Sequence, residues 1–423
     1  MDEALCLHGA RDARVQPLEL REGRPHETLL DVAAVGICGS DLHYYKDGGI
    51  GSARIMAPFV PGHEFGGYLC EDVPELGLKR GALVAVDPNR SCGQCEWCLA
   101  GHCNLCPKVE FIGAPPFDGA MMNRIWVPKS QVVPLPEAIG ALEAAMLEPL
   151  GVAIHAVDLA KPRLLERVAL LGAGPIGLLI LQTLKVAGAG DVHVIEPLDH
   201  RRAAALELGA KTAAATIDDF VRGESKGGCP LVVEATNSPR GFRDAVLAAR
   251  IGGRLILAGI PDGDSYTLPA SEARRRGLKL KFVRRMGDDY PRAIGLVSSG
   301  RVNVTAVVTH RESLRKAPEL FEALAEGRPG YLKALLHQTA KMEAPETSSV
   351  LTVVSCNDAF FREIRANSRS WTRGASSDGP APDDENRSTP CVLSSMTRAS
   401  IEKSAPKRSP VSKDRRTARV RKQ

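Results

Sequence analysis

The stretch Val168–Gly177, VALLGAGPIG, decides the fold. Four apolar residues run straight into Gly172, Gly174 and Gly177 in GxGxxG spacing, with Pro175 and Ile176 ahead of the last glycine and the apolar run LLILQTLKV behind it. That is a strand turning directly into a helix. The first glycine permits the tight turn, the second lets backbone approach a pyrophosphate, and the third lets helix and strand pack closely. Phosphates then rest on the helix N-terminus, where unpaired N–H groups and the helix dipole favour anions. The next apolar segment, VHVIE, ends in Glu196, nineteen positions after Gly177. An acid near that offset bonds the adenosine ribose hydroxyls and repels a 2′-phosphate, which predicts NAD as the cofactor. Arg201 and Arg202 follow closely. They read as a solvated helix face, with Arg201 near enough to count among the cofactor-binding residues.

Outward from this motif the chain alternates. A helix is predicted through 144–156, then the strand VALLG, a helix over 175–187, the strand VHVIE and a helix to Leu208. LVVEAT, RLILAGI and LKLKFV are further strands, with a helix over 239–250 between the first two. This βαβ alternation predicts a doubly wound parallel sheet over residues 151–284, and an α/β fold class. Upstream, TLLDVAAVGIC, ALVAVDP and MMNRIWVP are short β-branched segments broken by Gly and Pro, the texture of a small β-rich unit without a long amphipathic helix. Residues 285–337 hold amphipathic pieces too short for a third domain, so they are expected to return to the first unit, giving it residues 1–150 and 285–337. From Lys341 the chain is rich in Ser, Arg, Pro and Thr, and residues 341–423 read as a disordered basic tail.

Composition excludes several classes. The net charge of +5 over 423 residues suggests nucleic acid until the charge is located. From Lys341 onward 16 Lys and Arg face 10 Asp and Glu, so the remainder is nearly neutral and no nucleic-acid partner is expected. No apolar stretch reaches the roughly 18 residues a membrane span requires, and the first residues lack a signal-peptide pattern, so a cytoplasmic protein without membrane attachment is predicted. A reducing compartment disfavours disulfides among the eleven cysteines.

Four of those cysteines are clustered. SCGQCEWCLAGHCNLC places Cys92, Cys95, Cys98 and Cys106 in CxxCxxCx7C spacing, a thiolate set able to close a tetrahedron as structural zinc requires. Cys103, inside the same lobe, reads as a filler. A second group is scattered: Cys38 in VGICGSDLHYY, His63 and Glu64 in PGHEFGG, and Glu148 in LEPLGVAIHA. Each alone is an ordinary buried residue. Together they offer one thiolate, one imidazole and one or two carboxylates, enough for three protein ligands and the open fourth position of catalytic zinc.

ICGSDLHYY, PGHE, the cysteine lobe, LEPLGVAIHA and GAGPIG occur in the order found in the medium-chain zinc dehydrogenases, which the chain resembles over about residues 4–337. HYYKDGGIG, FVRRMGDDYP and the glutamate at 148 are similar to the polyol branch, the sorbitol, xylitol and L-iditol dehydrogenases. The resemblance implies a GroES-like catalytic domain with a Rossmann domain inserted, two zinc ions, and NAD-linked oxidation of a polyol's secondary alcohol to a ketose. It implies that Cys38, His63 and Glu64 hold the catalytic zinc, with Glu148 either bonded to a zinc water or exchanging with Glu64. It also implies that Ser40 and His43 form a proton relay, and that Tyr44, Phe111 and Arg285 line the substrate pocket. Met286 stands where sorbitol dehydrogenases tend to carry tyrosine, and Arg284 adds a charge, so L-idonate or L-threonine stays open as the substrate, as does a catalytically silent nucleotide-binding homologue. A homo-oligomer, dimer or tetramer, is expected.

Overall fold

The computed structural model describes residues 2–223, 227–263 and 265–337. The predicted tail, 341–423, lies outside the described residues.

Around the glycine motif six strands form one parallel sheet, in the order Thr212–Ala214, Val192–Ile195, Val168–Leu171, Cys229–Glu234, Ala249–Leu257 and Lys279–Phe282. The strand order reverses direction beside Val168–Leu171, so a crevice opens at the carboxyl ends of Val168–Leu171 and Cys229–Glu234, where dinucleotides bind in such sheets. The strands Val168–Leu171 and Val192–Ile195 are buried throughout, as expected of a parallel sheet covered on both faces. Gly172 has φ of 91°, and a Cβ there would come within 2.6 Å of the Ala235 carbonyl oxygen. A Cβ on Gly177 would strike the Gly172 carbonyl oxygen. Pro175 takes the first turn of the helix Pro175–Val186, where its missing N–H costs nothing.

The β-rich unit centres on a seven-stranded sheet in which Glu27–Gly36 pairs with Glu64–Leu69, with Arg124–Pro128 and with Ala334–His337. The last pairing returns the chain's later segment to the first unit, alongside His310–Ser313. Between the two sheets lies the helix Ala141–Ala160. It is apolar nearly all round because it is covered on all sides. Leu147, Leu150 and Ile154 are at most 3% exposed, each contributing about 1.5–3 kcal/mol by burial. Residues 150 and 151 lie in mid-helix.

Two local differences from the sequence reading stand out. The helix expected over 239–250 stops at Ala248, and Ala249 and Arg250 already belong to the strand. A nine-residue helix, Gly39–Asp47, occupies the β-rich unit. Its start and stop are chemical rather than periodic: the Cys38 N–H donates to Asp41 Oδ2 at 2.9 Å, and Gly48 closes the helix at φ of 66°.

Candidate functional site

The sheet pairing assembles the first cluster. Gly36 lies opposite Glu64 on one side and Leu335 on the other, and Cys38 follows two residues later at the start of the helix Gly39–Asp47. Ligand atoms of Cys38, His63 and Glu64 all lie within 4.8 Å of one another, and His63 and Glu64 are buried. Glu148 is also buried, on the helix Ala141–Ala160, but is not among the ligand atoms that lie within 4.8 Å of one another. Burial, reinforced by the neighbouring Glu64 carboxylate, pushes its acid up to about 7 against the opposing pull of His63 and Lys333. Burial likewise raises the Cys38 thiol well above its usual range.

Two residues that sequence reasoning passed over complete the surroundings. Asp41 is fully buried, and one oxygen sits 3.7 Å from His63 Nδ1, as an outer carboxylate orienting an imidazole would. Lys333, 2% exposed, pairs with Glu64 Oε2 and donates to the Ile37 carbonyl at 3.0 Å. Burial opposes its charge, but Glu64 and Cys38 outweigh burial and hold its pKa above the ordinary value. A Cβ on Gly36 would collide with the Glu64 carboxylate and lie 3.2 Å from Lys333 Nζ, so the two side chains meet across a glycine. The signal for Lys333 was a lone lysine amid Leu332 and Ala334–Leu336, since a fully buried lysine demands a partner.

This donor set fits a divalent cation. Cys38, Glu64, Glu148 and Asp41 put up to four acidic groups in a buried space, with Lys333 as the adjoining buried cation. Buried charge persists only when paired or metal-bound.

The pocket residues adjoin the trio. The Phe111 ring centroid is 5.2 Å from that of His63, and the Arg285 guanidinium lies 3.8 Å above the Phe111 centroid. Burial lowers the Arg285 pKa to about 10, with Arg284 adding to the shift. Tyr44 is buried edge-on to Phe59 at 5.5 Å, its hydroxyl pushed up to about 12 by burial and by Asp41. Met286 is buried against Gly151 in the central helix and packs into the core. Ser40 and His43 lie three apart on the helix Gly39–Asp47 and share a face. His43 Nδ1 is 3.3 Å from Asp47 Oδ2 and 3.7 Å from Asp262 Oδ1, which reaches over from the loop after the strand Ala249–Leu257.

The second cluster is the cysteine lobe. Cys95 and Cys98 sulfurs are 3.4 Å apart, those of Cys92 and Cys98 4.0 Å, and the Cys92 N–H points at Cys106 Sγ from 3.4 Å. These are not disulfide distances, which are about 2.05 Å. Four thiols within 4.8 Å match a tetrahedral set whose metal–sulfur bonds are about 2.3 Å. Backbone N–H groups of Gln94 and Cys95 draw the Cys92 thiol down to about 6, toward the thiolate that a metal needs. Cys103 is outside this set.

At the nucleotide crevice Glu196 is buried directly after its strand, and its two oxygens accept from the N–H groups of Ala173, at 2.8 Å, and Leu198, at 3.0 Å. Neither arginine lies on a freely solvated face. Arg202 folds back onto the carbonyls of Glu196 and Pro197, both at 2.7 Å, and pairs with Asp199. Arg201 has a buried Nε without a partner among the described residues, and its NH1 lies 3.8 Å from the Cβ position of Gly174. Gly174 is otherwise open around that position, and Ile176 is half-buried beside it.

Residues 24–137 match the alcohol dehydrogenase GroES-like domain and residues 175–299 the zinc-binding dehydrogenase domain. The chain is 32% identical over 343 residues to the sorbitol dehydrogenase of Bacillus subtilis, covering 79% of this chain and 97% of that one. It is 35% identical over 337 residues to a probable D-xylulose reductase A of Neosartorya fischeri, covering 77% and 94%. Among solved structures, L-idonate 5-dehydrogenase of Escherichia coli superposes with a TM-score of 0.71 at 26% identity, over 80% of this chain and 98% of that one. A short chain alcohol dehydrogenase of Escherichia coli (TM-score 0.70, 27% identity, 80% and 99% coverage) is complexed with NADH. A zinc-binding dehydrogenase of Sinorhizobium meliloti (TM-score 0.71, 28% identity, 80% and 99% coverage) is bound to NADP. No helix among the described residues is long and apolar enough to cross a membrane. With its GroES-like unit, its dinucleotide-binding sheet and its two clusters of metal-ligand side chains, the chain belongs to the zinc-dependent medium-chain alcohol dehydrogenase family and is an oxidoreductase.

Proposed function

We propose that the chain oxidises a secondary hydroxyl of a polyol of the sorbitol, xylitol or L-iditol type to a ketone, passing the hydride to NAD. The observation that carries this reading is the trio of half-buried Cys38 with buried His63 and Glu64, and the Arg285–Phe111 stack beside it. Cys38, His63 and Glu64 would hold the catalytic zinc, and Glu148 would bond to the ligand in its open position. Bound there, zinc supplies Lewis-acid polarisation that lowers the pKa of the alcohol. The chain's own residues do the rest. Asp41 orients His63, Lys333 orients Glu64, and Ser40 and His43 pass the hydroxyl proton along one helix face to the surface. Phe111 and Tyr44 wall the reacting carbon against water, and Arg285 grips a neighbouring substrate hydroxyl. Catalysis and zinc binding belong to residues 1–150 and 285–337, cofactor binding to residues 151–284.

The test is NADH formation from sorbitol, xylitol and L-idonate, alongside metal analysis. About two zinc ions per chain are expected, because the mixed set and the Cys92, Cys95, Cys98 and Cys106 set share no ligand. One equivalent or less in folded, active protein would remove one of the sites. L-idonate is the second reading, favoured by Arg284 beside Arg285, which would attract a carboxylate. It stands if L-idonate is turned over with a higher kcat/KM than the neutral polyols.

NAD is expected to be used in preference to NADP, because the Glu196 carboxylate at the end of its strand would repel a 2′-phosphate on the adenosine ribose. Glu196→Ala should erode that preference. Equal kcat/KM for both cofactors in the unaltered enzyme would mean that Arg201 outweighs the carboxylate.

A homo-oligomer fits the outer strand of the parallel sheet. Lys279–Phe282 is exposed at every residue, Phe282 at 59%, and its outer edge, unpaired among the described residues, would suit pairing with a second copy.

A further inference from the structure

One buried residue ties the cysteine lobe to the segment that carries Arg285. Asn104 sits in the single turn Cys103–Leu105, just before Cys106, and is buried although the lobe around it is largely exposed. Its side chain crosses to the segment that follows the last strand of the parallel sheet: Nδ2 donates to the Arg284 carbonyl at 2.9 Å. The bond is returned, since Arg284 Nε donates to the Asn104 carbonyl at 3.1 Å. His155 Nε2, on the central helix, is 3.5 Å from the same Asn104 nitrogen.

What this pair brackets is Arg285, whose φ is 54°. A residue with a Cβ occupies the left-handed region only at a cost in free energy, and it stays there when its neighbours over-determine it. Here the neighbours are fixed on both sides. Met286 is buried against Gly151, and Arg284 is clasped by Asn104. The guanidinium itself has weak tethers, a ring face at 3.8 Å and Asn89 Oδ1 at 3.5 Å. Its position over Phe111 therefore depends on the backbone that presents it as well as on these contacts.

We infer that Asn104 is a positioning residue: from the cysteine lobe it holds Arg285 in the left-handed conformation that places the guanidinium over Phe111, and so sets affinity for the polyhydroxyl part of the substrate. The inference rests on the reading of Arg285 as the substrate grip. It gives the lobe a role in specificity beyond holding a metal.

The experiment is a double-mutant cycle on the zinc-loaded enzyme, with xylitol or whichever polyol is turned over best. Arg285→Ala should raise KM for the polyol, and Asn104→Ala should raise it about tenfold while kcat changes little. The double variant should be no worse than Arg285→Ala alone, because Asn104 acts only through Arg285. Zinc content and melting temperature, measured on each variant, separate this from loss of the lobe. Should Asn104→Ala fail to fold, Arg284→Ala removes only the returned bond and should give a smaller rise in KM. Full additivity of the two single effects, or a normal KM in Asn104→Ala and Arg284→Ala while Arg285→Ala raises it, overturns the inference and leaves the grip intact. An unchanged KM in Arg285→Ala overturns both.

Discussion

Replacing Lys333 with methionine should destabilise the metal-free protein by about 3–5 kcal/mol, the cost of stranding one partner of a buried ion pair. Lys333 and Glu64 are each at most 2% exposed, so the remaining carboxylate would be left in a largely dehydrated place. Methionine keeps most of the stem volume, which limits the cavity contribution and leaves the uncompensated carboxylate as the main source of the loss. Zinc changes the sum. Once a dication neutralises Glu64, the stranded charge has a partner again, so Lys333→Met should lose less stability zinc-loaded than metal-free, and its melting temperature should rise more on adding zinc. The double variant Lys333→Met, Glu64→Gln removes both charges and should recover much of the metal-free stability while binding zinc more weakly. Equal melting temperatures for Lys333→Met and the unaltered protein, both metal-free, would show that the pair contributes nothing.

Glu148→Gln should reduce turnover about 10- to 100-fold, the range typical of residues that orient or tune a metal's ligands, with NAD affinity unchanged. Gln keeps the shape and removes the charge. The melting temperature should hold or rise, because burial already disfavours the ionised form of Glu148, holding its pKa at about 7, and an amide carries no such penalty. The competing account makes Glu148 a purely structural residue of the central helix. Normal turnover with a lowered melting temperature would support that account and remove Glu148 from the active site.

The parallel sheet was legible because its information is local. VALLGAGPIG encodes strand, turn and helix within ten residues, and VHVIE, LVVEAT and LKLKFV are apolar runs with punctuation on both sides. The four lobe cysteines were legible for the same reason, since their spacing is itself the geometry. The mixed trio is different. Cys38, His63 and Glu64 become a site only through the register that sets Gly36 against Glu64, and the resemblance carried what spacing could not. The helix Gly39–Asp47 escaped notice because its buried residues, Asp41, His43, Tyr44 and Tyr45, include two polar ones and so draw no apolar stripe. Asp41 and Lys333 escaped because their meaning is a contact. Asp41 reads as a cap until His63 is seen beside it, and Lys333 reads as a surface lysine until Ala334–His337 is seen to pair with Glu27–Gly36. Arg202 departs from a solvated face for a related reason: its helix is exposed, yet its long side chain folds inward onto the Glu196 carbonyl, while Arg201, counted among the cofactor-binding residues, lies beside Gly174.

The pairing of Lys333 with Glu64 spans 269 residues, and a ribosome reads the two ends at different times. At about 5–20 residues per second, roughly 13 to 54 s separate them. Throughout that interval the nascent chain can complete the whole nucleotide-binding sheet, while the strand Glu27–Gly36 keeps one edge open where Ala334–His337 will add. The Glu64 carboxylate meanwhile lacks its ammonium. An open edge recruits other strands and an unpaired carboxylate resists burial, so the first unit cannot close on its own schedule. The β-rich unit, although begun first, is therefore expected to close last.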